Sequence, residues 1–136
     1  MNRHRLAAPA AVASFALAAL AAGGTNARAA APAGTYYTAA QAAGGAKAYA
    51  ANCSQCHGAK LEGVSGPALK GPAMHGAQSV RDLYGMVSQQ MPANAPGSLS
   101  PPTYAAIMAY LLEQNGHPAG ATALTPANAK KIGAKI

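Results

Sequence analysis

Five consecutive residues constrain this chain more than any other stretch: Cys53-Ser54-Gln55-Cys56-His57. A Cys-x-x-Cys-His run is the spacing of a covalent haem attachment site. Each thiol can add across a haem vinyl group and leave a thioether bond. The imidazole of His57, directly after Cys56, can then take an axial position on the iron. Two plainer readings compete. A zinc site needs about four ligands, yet the chain has 2 Cys, both in this run, and His75 and His117 lie far apart. A thioredoxin-like redox pair belongs in a βαβ unit, and no strand-like alternation flanks these residues. Motif and context favour haem.

The chain has 136 residues, enough for one domain. Its beginning reads as a targeting segment. Met1-Asn2-Arg3-His4-Arg5 is basic, Leu6 to Ala22 is an Ala-dominated apolar run, and Ala27-Arg28-Ala29 is an A-x-A cleavage site. This is the pattern of a secretory signal peptide over residues 1–29, with export to the periplasm as the expectation. An uncleaved anchor is the rival, but the run is weakly hydrophobic and short for a stable span. Arg3 and Arg5 are not adjacent, which argues against twin-arginine export. Residues 30–37 read as a flexible leader ending at Tyr36-Tyr37, and residues 38–136 as the domain. No later stretch is long and apolar enough to span a membrane.

Past residue 29 the chain carries seven basic residues (Lys47, Lys60, Lys70, Arg81, Lys130, Lys131, Lys135) and three acids (Glu62, Asp82, Glu113), a net +4. Nothing interleaves these charges with aromatics as a nucleic-acid surface would. Lys60 and Lys70 flank the haem segments and are candidates for steering a partner, although scattered charges are usually a solvated face. The chain has no Trp, and its 1 Phe, Phe15, falls in the signal segment. A small domain without large side chains struggles to build a core. A buried haem would supply the missing apolar bulk.

The expected fold is all-α, with about three main helices and loops wrapped around one covalently bound haem. Thr38-x-x-Gln41 is a capping box, so a helix should run from Ala39 to about Asn52. Gly45, Tyr49 and Cys53 are four apart and share a face. Gly44 and Gly45 cost helix stability, and a Gly here signals close approach of another helix. Residues 58–79 are punctuated by Gly and Pro, with Leu61, Val64 and Leu69 available to cover a haem edge. In Gly66-Pro67, the Pro67 carbonyl is a candidate acceptor for the second nitrogen of His57, which a ligating His needs; a simple turn is the alternative. Ser79 can cap a helix near 80–90 with Val80, Leu83, Tyr84 and Val87 inward, ended at Met91-Pro92 because Pro disfavours the helical conformation before it. Ser100-Pro101 starts a last long helix that runs to about Asn115 and stops at Gly116, with Ile107, Tyr110 and Leu111 as its stripe. Residues 117–136 wrap the surface, with a short turn after Thr125-Pro126.

With these residues assembled, the chain resembles the class I cytochromes c over about residues 38–116. The resemblance rests on Cys53-Ser54-Gln55-Cys56-His57, Gly66-Pro67, and Met91-Pro92 ahead of a last helix. It implies that the first and last helices cross, with Gly45 and Tyr49 against Ile107 and Tyr110. It implies His57 and Met91 as axial ligands and Pro67 as acceptor for His57. It also implies haem attachment to the unfolded chain outside the cytoplasm. The stretch Met91 to Gly120, with Pro96-Gly97-Ser98-Leu99-Ser100 and Asn115-Gly116-His117-Pro118-Ala119-Gly120, is similar to small c-type domains associated with periplasmic quinoprotein dehydrogenases. Met74 departs from that pattern, where such domains often carry an aromatic.

The sixth ligand has rivals in Met74, His75, Met86, Met108 and His117. Met86 sits inside a helix and reads as core, Met108 as core or surface packing, and His117 lies in the wrap-around tail; Met74 and His75, in the Gly-Pro loop, stay open, with a surface role favoured for His75. Met91 differs because Pro92 forces its backbone out of the helix, freeing a long thioether to reach toward iron. The expected function is periplasmic electron transfer, cycling one haem c between Fe(III) and Fe(II). The expected partners are redox proteins such as a periplasmic dehydrogenase, a cytochrome complex or an oxidase. One alternative is a cytochrome subunit of a dehydrogenase complex. Another is a haem enzyme or sensor with an open sixth site, although no set of catalytic acid, base and Arg supports it.

Overall fold

The computed structural model describes Met1, residues 34–72, Met74 and residues 79–136. The signal segment beyond Met1, the first part of the leader and His75 lie outside these residues. The described residues form α1 (Ala39–Asn52), α2 (Ser54–His57), α3 (Val80–Gln90), α4 (Pro101–Gln114) and α5 (Pro126–Ala129). Among them there is no strand, and one isolated bridge joins Ser79 to Lys135. The chain is all-α, with a single residue between α1 and α2 and long connections on either side of α3.

The helix starts follow the capping chemistry. The side chains of Thr38, Ser79 and Ser100 accept from the backbone N–H groups of Gln41, Asp82 and Thr103, each satisfying a donor that a helix start leaves orphaned. The box expected at Thr38 is half made. Gln41 turns away from Thr38 and grips the tail, donating to the Leu124 carbonyl at 2.6 Å and accepting from its N–H at 2.8 Å. At α3 the tail completes the cap: Val80 N–H donates to Ala134 O at 3.0 Å and Arg81 N–H to Ile132 O at 2.9 Å.

α1 lies across α4 at Gly45, where a Cβ would stand 1.9 Å from the Ala106 carbonyl oxygen. No side chain fits between the two backbones. Gly44 is exposed, with nothing near the position of its Cβ. Next to the crossing, the rings of Tyr49 and Tyr110 meet at a centroid distance of 5.3 Å, tilted by 48°. α4 buries more than the expected stripe: Tyr104, Ala105, Ile107, Met108, Ala109, Leu111 and Leu112 are all buried. The reason is that α1, α3 and α5 all pack against it, so this helix is apolar nearly all round. Burying each of its Leu and Ile side chains contributes about 1.5–3 kcal/mol.

Two expectations need correction. Residues 34–37 are not a loose end. Tyr37 is 1% exposed, its hydroxyl donates to His117 O, and its carbonyl accepts from Gly120 N–H at 2.7 Å. Burial of an aromatic ring and two hydrogen bonds fix this segment to the tail. Val64 covers nothing: it is 72% exposed. Leu61 is buried in the protein core, which leaves Leu69 from that trio facing the haem cavity.

Candidate haem site

α1 delivers Cys53 and stops there. Its N–H still donates to Tyr49 O at 2.8 Å, but its backbone has left the helical region. The single turn of α2 then carries Cys56 and His57. Cys56 is exposed, while His57 is 8% exposed. Burial pushes the Cys53 thiol up from its ordinary pKa, with Cys56 adding to the effect.

The loop that follows closes on the carbonyls that α2 leaves open. Cys56 O accepts from Val64 N–H at 3.0 Å and Gly66 N–H at 2.9 Å, and His57 O accepts from Gly63 N–H at 2.8 Å. The buried Tyr49 hydroxyl donates to Gly58 O at 2.7 Å, tying α1 to the exit of α2. Burial first, then Cys53, Tyr110 and Glu62, push the Tyr49 phenol up to about 12, so it stays a neutral donor. Leu61 turns the chain at φ 63°, a left-handed conformation uncommon for a bulky residue. Its burial and the hydrogen bond from Leu69 N–H to its carbonyl hold it there.

That turn brings Pro67 over the His57 ring. His57 Nδ1 is 2.8 Å from Pro67 O. A carbonyl can only accept, so the proton sits on Nδ1, and Nε2 is the nitrogen left for the cavity. Such a contact fixes the ring and raises its basicity as a ligand. Gly66 makes room for it: a Cβ there would stand 2.9 Å from Cε1 and 3.0 Å from Nδ1 of His57.

Cys53, Cys56, His57, Pro67 and Met91 all line one cavity of about 770 Å³. Leu69, Leu83, Val87, Ile107 and Leu111 supply apolar wall. Binding pockets run from about 300 to 1,000 Å³ and are mostly apolar with a few placed polar groups. The space, the apolar lining, two thiols and a ring nitrogen turned to the cavity fit a haem. Met91 ends α3 with an extended backbone, φ −115° and ψ 153°. Its thioether is not alone: Met86, read from the sequence as core, is half-buried and lines the same cavity. Met108 is fully buried within α4, and Met74 packs on the core; neither lines the cavity.

Two anchors of the site were not read from the sequence. Tyr104 donates its hydroxyl to Met91 O at 2.6 Å. Asn115, just past α4, donates to Leu69 O at 3.0 Å and accepts from Gly71 N–H at 3.2 Å, holding the haem-side loop to the end of α4. A buried Asn at a helix end is a weak signal, and nothing in residue type marks the carbonyls it binds.

A helical domain of this shape, built around Cys-x-x-Cys-His and an apolar cavity, is a class I-like monohaem cytochrome c domain. The family model described as cytochrome c oxidase, cbb3-type, subunit III matches residues 40–111, and the chain belongs to that family. No curated protein matches the sequence. Among solved structures, the chain is similar to one from the crystal structure of the sulfane dehydrogenase SoxCD from Paracoccus pantotrophus. The identity is 30% and the TM-score 0.55, covering 66% of this chain and 51% of that one. This chain thus spans about half the length of the chain it matches. A cytochrome c domain implies haem c and electron transfer.

Proposed function

We propose that this chain is an exported electron carrier that holds one haem c through Cys53 and Cys56, with His57 and Met91 as axial ligands. The observation that carries this reading is the His57 ring. Its Nδ1 is committed to Pro67, and the ring lines the cavity that Cys53, Cys56 and Met91 also line. The bound haem would supply one-electron Fe(III)/Fe(II) chemistry. The chain's own residues do the rest. His57 and Met91 would hold the iron from the protein side, and a haem held by both would have no open position for a substrate. Leu69, Leu83, Val87, Ile107 and Leu111 line the cavity with apolar groups, which would exclude water and favour the less charged ferrous state of a bound haem. Cys56 is exposed and lines the cavity, so a haem attached there would be within reach of a partner at the surface. Lys60 and Lys70, both exposed beside this region, are the charges available to steer it.

The test is a visible spectrum of ferric and ferrous protein, with Met91→Ala beside the wild type. Thioether ligation predicts a long-wavelength sulfur-to-iron band in the ferric wild type. It also predicts loss of the band in Met91→Ala and carbon monoxide binding by the reduced variant. A wild type without the band refutes His/Met ligation. For location, the expected product is a periplasmic protein whose mature N-terminus follows Ala29; retention of residues 1–29 on the purified chain refutes cleavage.

The similarity to a chain of a sulfane dehydrogenase structure favours a second reading, a cytochrome subunit or dedicated partner of a periplasmic dehydrogenase. Purification from its own host as a stable heteromer supports that reading; a monomer that reduces and reoxidises freely supports the shuttle.

A further inference from the structure

We propose that Tyr104 is a positioning residue for the sixth ligand: through the Met91 carbonyl, its hydroxyl keeps the Met91 thioether directed into the haem cavity. This rests on the reading of Met91 as a ligand. Residues 91–99 form a loop between α3 and α4. Its interior bonds are local: Ala95 N–H to Pro92 O, Ser98 N–H to Ala95 O, and Gly97 N–H to Met91 O at 3.2 Å. Packing holds its ends, where Met91 and Leu99 are half-buried against the core, but not its middle. Residues 93–98 are all exposed, and Gly97 and Leu99 border a second cavity of about 340 Å³ behind the loop. Among the described residues, the hydrogen bonds from this loop to α4 run through one atom, the Tyr104 hydroxyl oxygen. It donates to Met91 O at 2.6 Å and accepts from Leu99 N–H at 3.2 Å. One phenol therefore ties both ends of the loop together and fixes them to a rigid element.

Tyr104 is well placed for this work. It is 3% exposed and sits in the first turn of α4, whose start is set by Ser100 as cap and by Pro101. Its ring packs in the core, so its hydroxyl is a fixed point against which the Met91 backbone is held. Without that point, Met91 O keeps the bond from Gly97, which moves with the loop. The thioether would then leave the iron more often, with no change in the haem, in His57 or in the cavity wall.

The experiment compares wild-type and Tyr104→Phe holoprotein by titrating the ferric form with imidazole, which binds iron when the thioether departs. One hydrogen bond of ordinary strength predicts imidazole affinity about fivefold tighter in Tyr104→Phe, with the sulfur band retained in the absence of imidazole. Tyr84→Phe is the control: Tyr84 is buried and borders the same small cavity, and its imidazole affinity should match the wild type. A purely structural role for Tyr104 would lower thermal stability without moving imidazole affinity, and that result overturns the inference. An equal change in Tyr84→Phe overturns it too. If Tyr104→Phe does not hold haem, amide exchange in the wild type decides. The Leu99 N–H should then be as protected as the amides of α4, and fast exchange at Leu99 refutes the tether. A wild type lacking the sulfur band overturns the Met91 reading and this inference together, whereas a normal band with unchanged imidazole affinity in Tyr104→Phe overturns this inference alone.

Discussion

Gly44 and Gly45 are neighbours on one helix, and the structure predicts opposite outcomes when each becomes Ala. A Cβ on Gly45 would stand 1.9 Å from Ala106 O, 2.6 Å from Ala106 C and 3.0 Å from Tyr110 Cβ. Carbon-to-oxygen contacts settle near about 3.3 Å at their closest, so α1 and α4 would have to separate by more than ~1 Å. The obstacle is backbone, which cannot rotate away as a flexible side chain could. Overpacking of this kind costs about 1–3 kcal/mol and occasionally more. Against it stands the gain of up to about 1 kcal/mol from replacing Gly in a helix. The net for Gly45→Ala is a loss, and Gly45→Val, with a bulkier branched side chain, loses more. At Gly44 nothing lies within 4 Å of the added Cβ, so the helix gain stands alone, about 0.5–1 kcal/mol. For a domain near 100 residues, 1 kcal/mol is worth about 4–8 °C in melting temperature. Thermal unfolding of the holoproteins followed by circular dichroism reads the difference directly. A Gly45→Ala protein as stable as the wild type would show that the two helices do not meet at Gly45, and equal shifts at both positions would do the same.

Replacing Cys53 and Cys56 together by Ser should abolish covalent haem attachment and leave an unstable chain, because the apolar lining of the cavity would face water; a soluble, fully folded haem-free double variant contradicts this. Gly66→Ala should press on the His57 ring at Cε1 and Nδ1 and weaken its bond to Pro67, lowering imidazole basicity and moving the midpoint potential upward; an unchanged potential and an unchanged Nδ1–H proton resonance count against the contact. Tyr49 is raised from 10.0 to about 12, so its contribution to stability is intact below pH 10 and is lost as pH rises toward 12. Tyr49→Phe should be less stable than wild type at pH 7, and its stability should fall less steeply between those two pH values; parallel pH curves would refute the assignment.

What could be read from the chain was what is written locally. Thr38, Ser79 and Ser100 mark helix starts by residue type, and Pro92 marks a stop, so α1, α3 and α4 fall where spacing and caps place them. The haem motif is five contiguous residues and survives any ignorance of the tertiary fold. The contact between His57 and Pro67 was open to a turn instead, because a carbonyl has no residue signature. The same blindness hid the grip of Gln41 on Leu124 and of Asn115 on Leu69 and Gly71. In each case one partner is a side chain with a type and the other is backbone, supplied by residues 44–83 positions away. Residues 34–37, the described end of the leader, were misread for a different reason. A run of small residues before Tyr36-Tyr37 looks loose, but two adjacent aromatics in a chain this poor in large side chains were themselves a sign of packing.

The choice between two sulfurs shows where periodicity stops being informative. Leu83, Met86 and Val87 share a face of α3 at spacings of three and four, and Met91 lies four further on; all four line the haem cavity. Spacing therefore admits both Met86 and Met91. The backbone separates them. Met86 lies in the second turn of a regular helix, one turn before its end, where its main chain is committed to the ladder. Met91 has left the helix with an extended backbone, and its carbonyl is held by Tyr104 and Gly97. A ligand benefits from such a fixed, non-helical start, because its side chain can then leave along the direction of the loop rather than along the helix face. Met86→Leu is nearly volume-conserving and should cost under about 1.5 kcal/mol. It is expected to leave the ferric sulfur band at its wild-type position and intensity. Loss of that band in Met86→Leu, with its survival in Met91→Ala, would move the ligand onto α3 itself and make the cavity wall, rather than the loop, the source of the sixth bond.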